Sequence, residues 1–355
     1  MRHVECIVVG GGPAGLMATQ SLLDCGVSVM LVDRSISLGG QLVKQTHKFF
    51  GSENQFAKER GFEISNILID RIMDHPLLEI RLNTEVVSLF DNNVLGLYDY
   101  NNYEEIKASK IILATGASEK FLAFENNDCP QIMGAGAIQT LMNVYGVLPG
   151  RDVVMIGSGN IGLIVSYQLM QAGVNVKAIV DISKTIGGYT VHASKVRRMG
   201  VPFMMDSTIK RAIGDEFLEA VEIVSIATQE STIIDCDTCC IAVGLSPSVQ
   251  LGAMIGVDIK YIPELGGDII IVNDKYQSSC PDLFVCGDAG GIEEASSAMM
   301  EGALCGLFVA QDLMKDVNEN LITKYKQELT QLREGPISQK VRFGLEKVRN
   351  SSHVT

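Results

Sequence analysis

Ile7-Val8-Val9-Gly10-Gly11-Gly12-Pro13-Ala14-Gly15 runs from an apolar stretch through a glycine turn into a helical run. The same grammar returns at Val153-Val154-Met155-Ile156-Gly157-Ser158-Gly159-Asn160-Ile161-Gly162. A strand, a glycine turn and a helix start together make a pyrophosphate site, because glycines let the backbone approach the phosphates and the helix end offers free N–H groups. Each copy also has a second apolar strand ending in an acid, Val29-Met30-Leu31-Val32 before Asp33 and Val176-Lys177-Ala178-Ile179-Val180 before Asp181. Such an acid is placed to accept a ribose 2′-OH. A lone glycine pattern also occurs in ordinary tight turns; two copies with matching strands and acids imply two bound dinucleotides.

The repetition runs past the fingerprints. Leu82 to Phe90, Leu95 to Tyr100 and Ile111-Ile112-Leu113-Ala114-Thr115-Gly116 read as short strands separated by Asn, Asp and Gly turns. Phe203 to Ile213, Ala220 to Thr228 and Cys239-Cys240-Ile241-Ala242-Val243-Gly244 follow the second copy in the same order. Each half is therefore a βαβ unit with a small meander. The fold class expected is α/β, two Rossmann-like three-layer (ββα) dinucleotide-binding domains with the second inserted in the first.

The chain has 355 residues, enough for two or three domains, and its 35 glycines exceed ordinary usage of about 7%. A net charge of −13 argues against nucleic acid or an anionic membrane as partner, since both need basic patches. The uncharged run from Val153 to Val176 is long enough to span a bilayer, yet its glycines, Asn160 and Gln residues suit a buried strand followed by an amphipathic helix. No membrane span is expected. The first strand opens almost at the start of the chain with no apolar segment and cleavage site before it, so the cytoplasm is the expected location.

Six of the nine cysteines, Cys6, Cys25, Cys129, Cys280, Cys286 and Cys305, are scattered singly, mostly beside apolar residues. Cys236-Asp237-Thr238-Cys239 has redox or metal-ligand spacing but leads into a buried strand, and no second cluster completes four ligands. No metal is expected.

These signals, in this order, resemble the flavoproteins with two dinucleotide-binding domains typified by thioredoxin reductase and related pyridine-nucleotide oxidoreductases. Gly39-Gly40-Gln41-Leu42 is similar to that group's flavin-facing loop, Ala114-Thr115-Gly116 to its interdomain crossing, and Leu283-Phe284-Val285-Cys286-Gly287-Asp288 to its second flavin motif. The resemblance implies an FAD domain in residues 1–116 plus 244–312, an NAD(P) domain in 117–243 and a helical tail in 313–355. It implies FAD contacts from Gly10, Gly12, Pro13, Ala14, Gly15, Asp33, Arg34, Gly40, Gln41, Val86, Ala114, Thr115, Gly116, Gly287, Asp288 and Ala295. Asp288 would hold the ribitol, and the helix from Ala295 would point at the flavin pyrimidine. For the nicotinamide cofactor it implies Gly157, Gly159, Asn160, Ile161, Gly162, Asp181 and Gly244. Asp181 favours NAD(H) over NADP(H), because a carboxylate repels a 2′-phosphate; Lys184, Arg197 and Arg198 lie downstream as candidates for holding one.

Thioredoxin reductases carry a redox-active CxxC shortly before the second fingerprint, whereas Gly134 to Leu148 contains no Cys here. The stretches Gly116 to Lys120, Gly134 to Met142 and Gly146 to Gly150 are instead similar to the FAD/NAD-binding subunits of hydrogen cyanide synthase, opine oxidase and dye-linked proline dehydrogenase, and to sarcosine oxidase alpha-type proteins. That resemblance implies hydride transfer between NAD(H) and enzyme-bound FAD within a multi-subunit amine, amino-acid or hydroxy-acid dehydrogenase, with a flavoprotein subunit as partner. It also implies domain rotation at the crossings Gly116 and Gly244. Two alternatives remain open: a stand-alone NAD(P)H-dependent flavin oxidoreductase acting on a small molecule, and a non-enzymatic nucleotide sensor. Homo- or hetero-oligomers are both compatible.

No catalytic acid or base stands out. Lys44, His47 and Lys48, in the segment Lys44 to Phe50, are candidates for a substrate carboxylate or proton, set against a plain solvated loop; His192 is similarly ambiguous. In the tail, Ile322, Tyr325, Leu329 and Leu332 mark an amphipathic helix over Leu321 to Arg333, broken at Gly335-Pro336. A second run with Val341, Leu345 and Val348 suits packing on the body or docking a partner, and Ser351 to Thr355 suits a frayed end.

Overall fold

The computed structural model describes residues 1–49, 53–336 and 338–352, with Ser352 as backbone alone. Phe50 and the end residues 353–355 lie outside them. The chain divides into two compact units, one of residues 1–118 with 246–355, the other of residues 119–245.

The first unit is built on a seven-stranded sheet. Its parallel part runs in the order Leu78–Arg81, Val29–Val32, Arg2–Val9, Tyr103–Leu113 and Leu283–Val285. The long strand Tyr103–Leu113 has two jobs along one edge. Its first half pairs antiparallel with Val94–Tyr98, which pairs with Glu85–Phe90; its last three residues pair with Leu283–Val285. This strand begins well before Ile111, where the apolar run begins, because Glu104, Glu105 and Lys107 hide the alternation on its exposed meander half.

Helices Pro13–Asp24 and Ala295–Asp312 cover one face of the sheet. They approach closely because Gly302 and Gly306 sit under Ala14 and Ala18; a Cβ on Gly302 would lie 2.0 Å from the Ala14 carbonyl oxygen. The near-continuous burial of Ser296 to Ala310 follows from this double contact, with strands below and helix Glu319–Leu332 outside. Residues 313–352 belong to this unit: Ile322 and Leu329 bury against the helical core, and Val348 of helix Gln339–Ser352 packs with Ile262, Leu265 and Ile269.

The second unit repeats the design with five parallel strands, Phe203–Met204, Asn175–Val180, Asp152–Ile156, Thr238–Ile241 and Ile132–Gly134. Helices Ala135–Asn143, Asn160–Gln171 and Thr190–Arg198 accompany it, and a separate antiparallel meander joins Ser207–Ile213, Ala220–Ser225 and Ser231–Asp235. The last of these strands, exposed except for the half-buried Ile234, is not among the strands expected from the sequence. The uncharged run from Val153 resolves into a strand, a glycine turn and a twelve-residue helix. Among the described residues no helix is long and apolar enough to cross a membrane.

Candidate functional site

In the first unit the chain turns at Gly10, whose φ of +106° suits glycine. A Cβ there would lie 2.3 Å from the Ala114 carbonyl oxygen, and one on Gly15 would lie 1.8 Å from the Gly10 oxygen. Strand, turn and helix are thus pressed against the end of the neighbouring strand at Ala114. The helix starts after Gly12, which has no side chain to cap it, places Pro13 in its first turn and carries no acid there. Its first N–H groups therefore have neither a helical partner nor a side-chain acceptor, which suits an incoming phosphate.

Asp33 is buried at the end of Val29–Val32. Its Oδ2 accepts the Gly11 N–H at 2.6 Å and its Oδ1 the Ser35 N–H at 2.7 Å. The Gly39 N–H donates to the Gly11 carbonyl at 2.8 Å, so the Gly39–Gly40 turn sits over the fingerprint; a Cβ on Gly40 would lie 2.7 Å from the Gly12 Cα. Gly287 closes the cluster from another direction, since a Cβ on it would lie 2.7 Å from the Ala14 Cβ. Residues far apart in sequence (10–15, 33, 39–40, 114 and 287) meet in one place.

Asp288 follows Gly287, and its Oδ1 accepts the Glu293 N–H at 3.2 Å. Desolvation pushes its carboxyl up to about 6. The helix Ala295–Asp312 begins at Ala295 with no acid in its first turn. Gln41 lies exposed in the 3-10 turn Gly40–Lys44 and Arg34 is exposed beyond Asp33, while Val86 is buried in the core that holds Val9 and Val32. Thr115 Oγ1 donates to the Ser248 carbonyl, and the Ser248 N–H donates to the Gly116 carbonyl, tying the outgoing crossing to the returning one.

The second unit repeats this bonding. Gly157 turns at φ +115°, its N–H donates to the Val180 carbonyl as that of Gly10 does to Val32, and a Cβ on it would lie 2.2 Å from the Ala242 oxygen. Asp181 Oδ2 accepts the Ser158 N–H at 2.6 Å and its Oδ1 the Ser183 N–H at 2.8 Å. The Gly188 N–H donates to the Ser158 carbonyl at 3.0 Å, the counterpart of Gly39 on Gly11 displaced by one residue, since Gly39 is the first glycine of its pair and Gly188 the second. The sequence carries a sign of this equivalence that is easily overlooked: each Gly-Gly pair begins six residues after its acid. The side chains that stand where the first cradle has Gly11 and Pro13 add three bonds: Ser158 Oγ donates to Asp181 Oδ2 at 2.6 Å and accepts the Gly187 N–H at 3.2 Å, and Asn160 Oδ1 accepts the Tyr189 N–H at 2.7 Å. Desolvation raises the Asp181 carboxyl, and the bonds it accepts from Ser158 and Ser183 outweigh that and hold it below its ordinary value. Ile161 is exposed and Gly162 buried at the helix start, and Gly244 accepts the Lys120 N–H at the crossing.

The candidate acid-base segment is not a free loop. Lys44 ends the 3-10 turn, the His47 ring stacks on Phe49 at 5.7 Å, Lys48 bridges to Arg60, and the Arg60 guanidinium donates to the Thr46 carbonyl. His192 is buried edge-on to Tyr189, and burial with nearby Lys195 lowers its proton affinity, so a packing role fits it.

Cys236, Cys239 and Cys240 are buried in the second unit; desolvation pushes Cys236 up to about 12 and the other two above their ordinary value. A thiolate is disfavoured at each. In the stretch without cysteine, Glu119 Oε1 accepts the Gly136 N–H at 2.6 Å, so a carboxylate rests on the first turn of Ala135–Asn143. Among the described residues no three His, Cys, Asp or Glu side chains are grouped to hold a metal.

The alpha subunit of sarcosine oxidase from Rhizobium meliloti is 28% identical over 327 residues, covering 88% of this chain and 31% of that protein. Subunit HcnB of hydrogen cyanide synthase from Pseudomonas protegens is 25% identical, covering 85% of this chain and 69% of that subunit. The chain thus spans about a third of the sarcosine oxidase subunit and about two thirds of HcnB. Thioredoxin reductase from T. acidophilum superposes with a TM-score of 0.73 at 21% identity, over 88% of this chain and all of that one. L-proline dehydrogenase from P. horikoshii superposes with a TM-score of 0.71 at 22% identity, over 93% and 59% respectively. These two share the fold. The family model described as pyridine nucleotide-disulphide oxidoreductase matches residues 4–302, and the chain belongs to that family of flavoprotein oxidoreductases.

Proposed function

We propose that the first unit holds FAD, that the second holds NAD(H), and that the chain passes a hydride between them as the electron-transfer subunit of a multi-subunit amine, amino-acid or hydroxy-acid dehydrogenase. The observation that carries this reading is the bond-for-bond repetition of one phosphate cradle, each copy with its own buried or half-buried acid. Bound FAD supplies a two-electron acceptor at its ring system.

The protein's own contribution is positioning. The N–H groups at the start of Pro13–Asp24 face the pyrophosphate, Asp33 takes the ribose hydroxyls, and Asp288 takes a ribityl hydroxyl. In the second unit the start of Asn160–Gln171 and Asp181 do the same for the pyridine nucleotide. NAD fits better than NADP. Arg197 and Arg198 lie in the last turn of Thr190–Arg198, where Arg197 stacks on Phe203 and Arg198 bonds the Ser194 carbonyl, which leaves Lys184 as the cation nearest Asp181 in sequence.

Cys236 and Cys239, the pair with dithiol spacing, are buried with raised pKa values, which argues against dithiol chemistry there, and relatives named as subunits of larger enzymes support a partner subunit that oxidises the substrate. The test is anaerobic titration of the FAD-reconstituted chain with NADH. The yellow band is expected to bleach, with slow turnover on small acceptors until a partner subunit is added. Fast turnover with one defined small acceptor would move the chain to the stand-alone class. A protein that stays colourless after reconstitution would remove the proposal.

A further inference from the structure

Next to the cradle of the first unit lies a charged cluster that the reading above does not use. Arg333, at the C-terminal end of Glu319–Leu332, reaches inward between Glu293 and Glu301. Its Nε donates to Glu293 Oε2 at 3.0 Å, its Nη2 also donates to Glu293 Oε1, and Nη2 donates to Glu301 Oε1 at 2.5 Å. The three side chains are 13%, 7% and 11% exposed. Each acid also touches the loop that carries Asp288. Glu301 Oε2 accepts the Gly287 N–H at 3.0 Å, and the Glu293 N–H donates to Asp288. Arg333 is itself fixed from behind, because Arg342 Nη1 donates to the carbonyls of Arg333 and, at 2.9 Å, Gly335.

Two acids share one buried guanidinium, and burial, with Glu293 beside it, pushes the Glu301 carboxyl up, to about 7. A cluster serving stability alone would be replaceable by apolar residues. Here the Glu301 carboxylate holds one end of the loop 287–293 at the Gly287 N–H, and Arg333 holds the other end through the side chain of the loop's own Glu293, whose backbone N–H bonds Asp288.

We propose that Arg333 is a positioning residue for the flavin: acting through Glu293 and Glu301, the C-terminal segment fixes the loop 287–293 so that Asp288 and the start of helix Ala295–Asp312 stand ready for the ribityl chain and ring. This deepens the assignment of FAD to the first unit and rests on it. The geometry makes the segment after Leu313 part of the cofactor site although none of its residues needs to touch the cofactor.

The test uses the full chain and three variants. Arg333→Lys keeps the charge and loses the planar fork. Arg333→Met strands two acids and is at risk of unfolding. Glu293→Gln/Glu301→Gln/Arg333→Met leaves an uncharged cluster and guards against that risk. FAD affinity is read from quenching of free-flavin fluorescence, the environment from the shape of the bound-flavin spectrum, and folding from melting of the apoprotein and NADH binding by the second unit. The triple variant is expected to melt like the wild type and bind NADH normally, yet to bind FAD at least about tenfold more weakly with an altered spectrum, the effect of losing charge-assisted bonds. Arg333→Lys is expected to fall between. A folded triple variant with wild-type FAD affinity and spectrum would overturn the positioning role and leave the FAD assignment standing. A wild-type chain that takes up no FAD would overturn both.

Discussion

The two cradles have the same backbone and differ in their side chains. Where the first has Gly11 and Pro13, the second has Ser158 and Asn160, and both polar side chains are bonded within the cradle, Ser158 to Asp181 and Asn160 to the Tyr189 N–H. The strand beyond the crossover strand also comes from opposite directions. In the first unit it is Leu283–Val285, which follows the crossover strand in sequence and leads into an eighteen-residue helix packed against the cradle helix. In the second it is Ile132–Gly134, which precedes the fingerprint and leads into a nine-residue helix. The shared part is what a pyrophosphate demands of a backbone. The first cradle is also packed by Gly287, far away in sequence, whereas the second adds polar side chains of its own turn.

The largest test breaks one cradle at a time. Gly15→Ala sets a Cβ against the Gly10 oxygen and Gly162→Ala sets one against the Gly157 oxygen, at 1.8 and 2.2 Å before relaxation. Overpacking of this kind costs about 1–3 kcal/mol or more. Gly15→Ala is expected to abolish FAD retention while NADH binding survives, and Gly162→Ala to do the reverse, read by flavin absorbance and NADH titration. Loss of both ligands in either variant would mean that the units are not independent.

Next come the acids. Asp33→Ala removes the acceptor of two backbone N–H groups, and each unsatisfied buried donor costs about 1–3 kcal/mol. FAD affinity is expected to fall about 10- to 100-fold. Asp181→Ala is expected to weaken NADH less, because its site is only half-buried; isothermal titration of both variants ranks them.

A third test concerns acidity. Asp288 has a folded-state pKa raised to about 6, so its stabilising contribution is complete below its unfolded value of about 4 and is lost as pH rises through 6. Asp288→Asn is expected to raise the apoprotein melting temperature at pH 7 relative to wild type, with the gain vanishing near pH 4, while weakening FAD. A pH-independent gain would contradict the assignment. Asp181 has the opposite sign: its pKa is lowered, so its contribution is present at neutral pH and fades below about pH 4.

The smallest test converts the second cradle toward the first. Ser158→Gly deletes two bonds of one hydroxyl, its donation to Asp181 and its acceptance of the Gly187 N–H, each worth about 1 kcal/mol, and is expected to weaken NADH a few-fold to about tenfold without affecting FAD. A larger loss would mean that the hydroxyl touches the nucleotide itself.

Both fingerprints, both acids and the Gly39–Gly40 turn were legible because each is a local pattern at a short, fixed offset. The strand Tyr103–Leu113 was legible only in its last part, since its first half faces solvent with charges. Ser231–Asp235 was not anticipated, because its β-branched Thr232, Ile233 and Ile234 make only a short run of which Ile234 alone packs on the core. The tail helix was readable from Ile322, Tyr325, Leu329 and Leu332; that Arg333 beyond it reaches Glu293 and Glu301 was not, because an arginine at a helix end looks like ordinary solvated charge.

What the residues alone determined is two glycine turns, each between a strand and a helix and each followed at a fixed spacing by an acid, the local pattern that suits a phosphate. Tertiary structure alone decided which distant groups complete each one. Gly287 against Ala14, Gly302 under the cradle helix and Arg333 between two acids are long-range pairings, set by how helices and strands stack once the sheet exists. A local pattern carries no information about partners tens or hundreds of residues away, so packing had to bring them together.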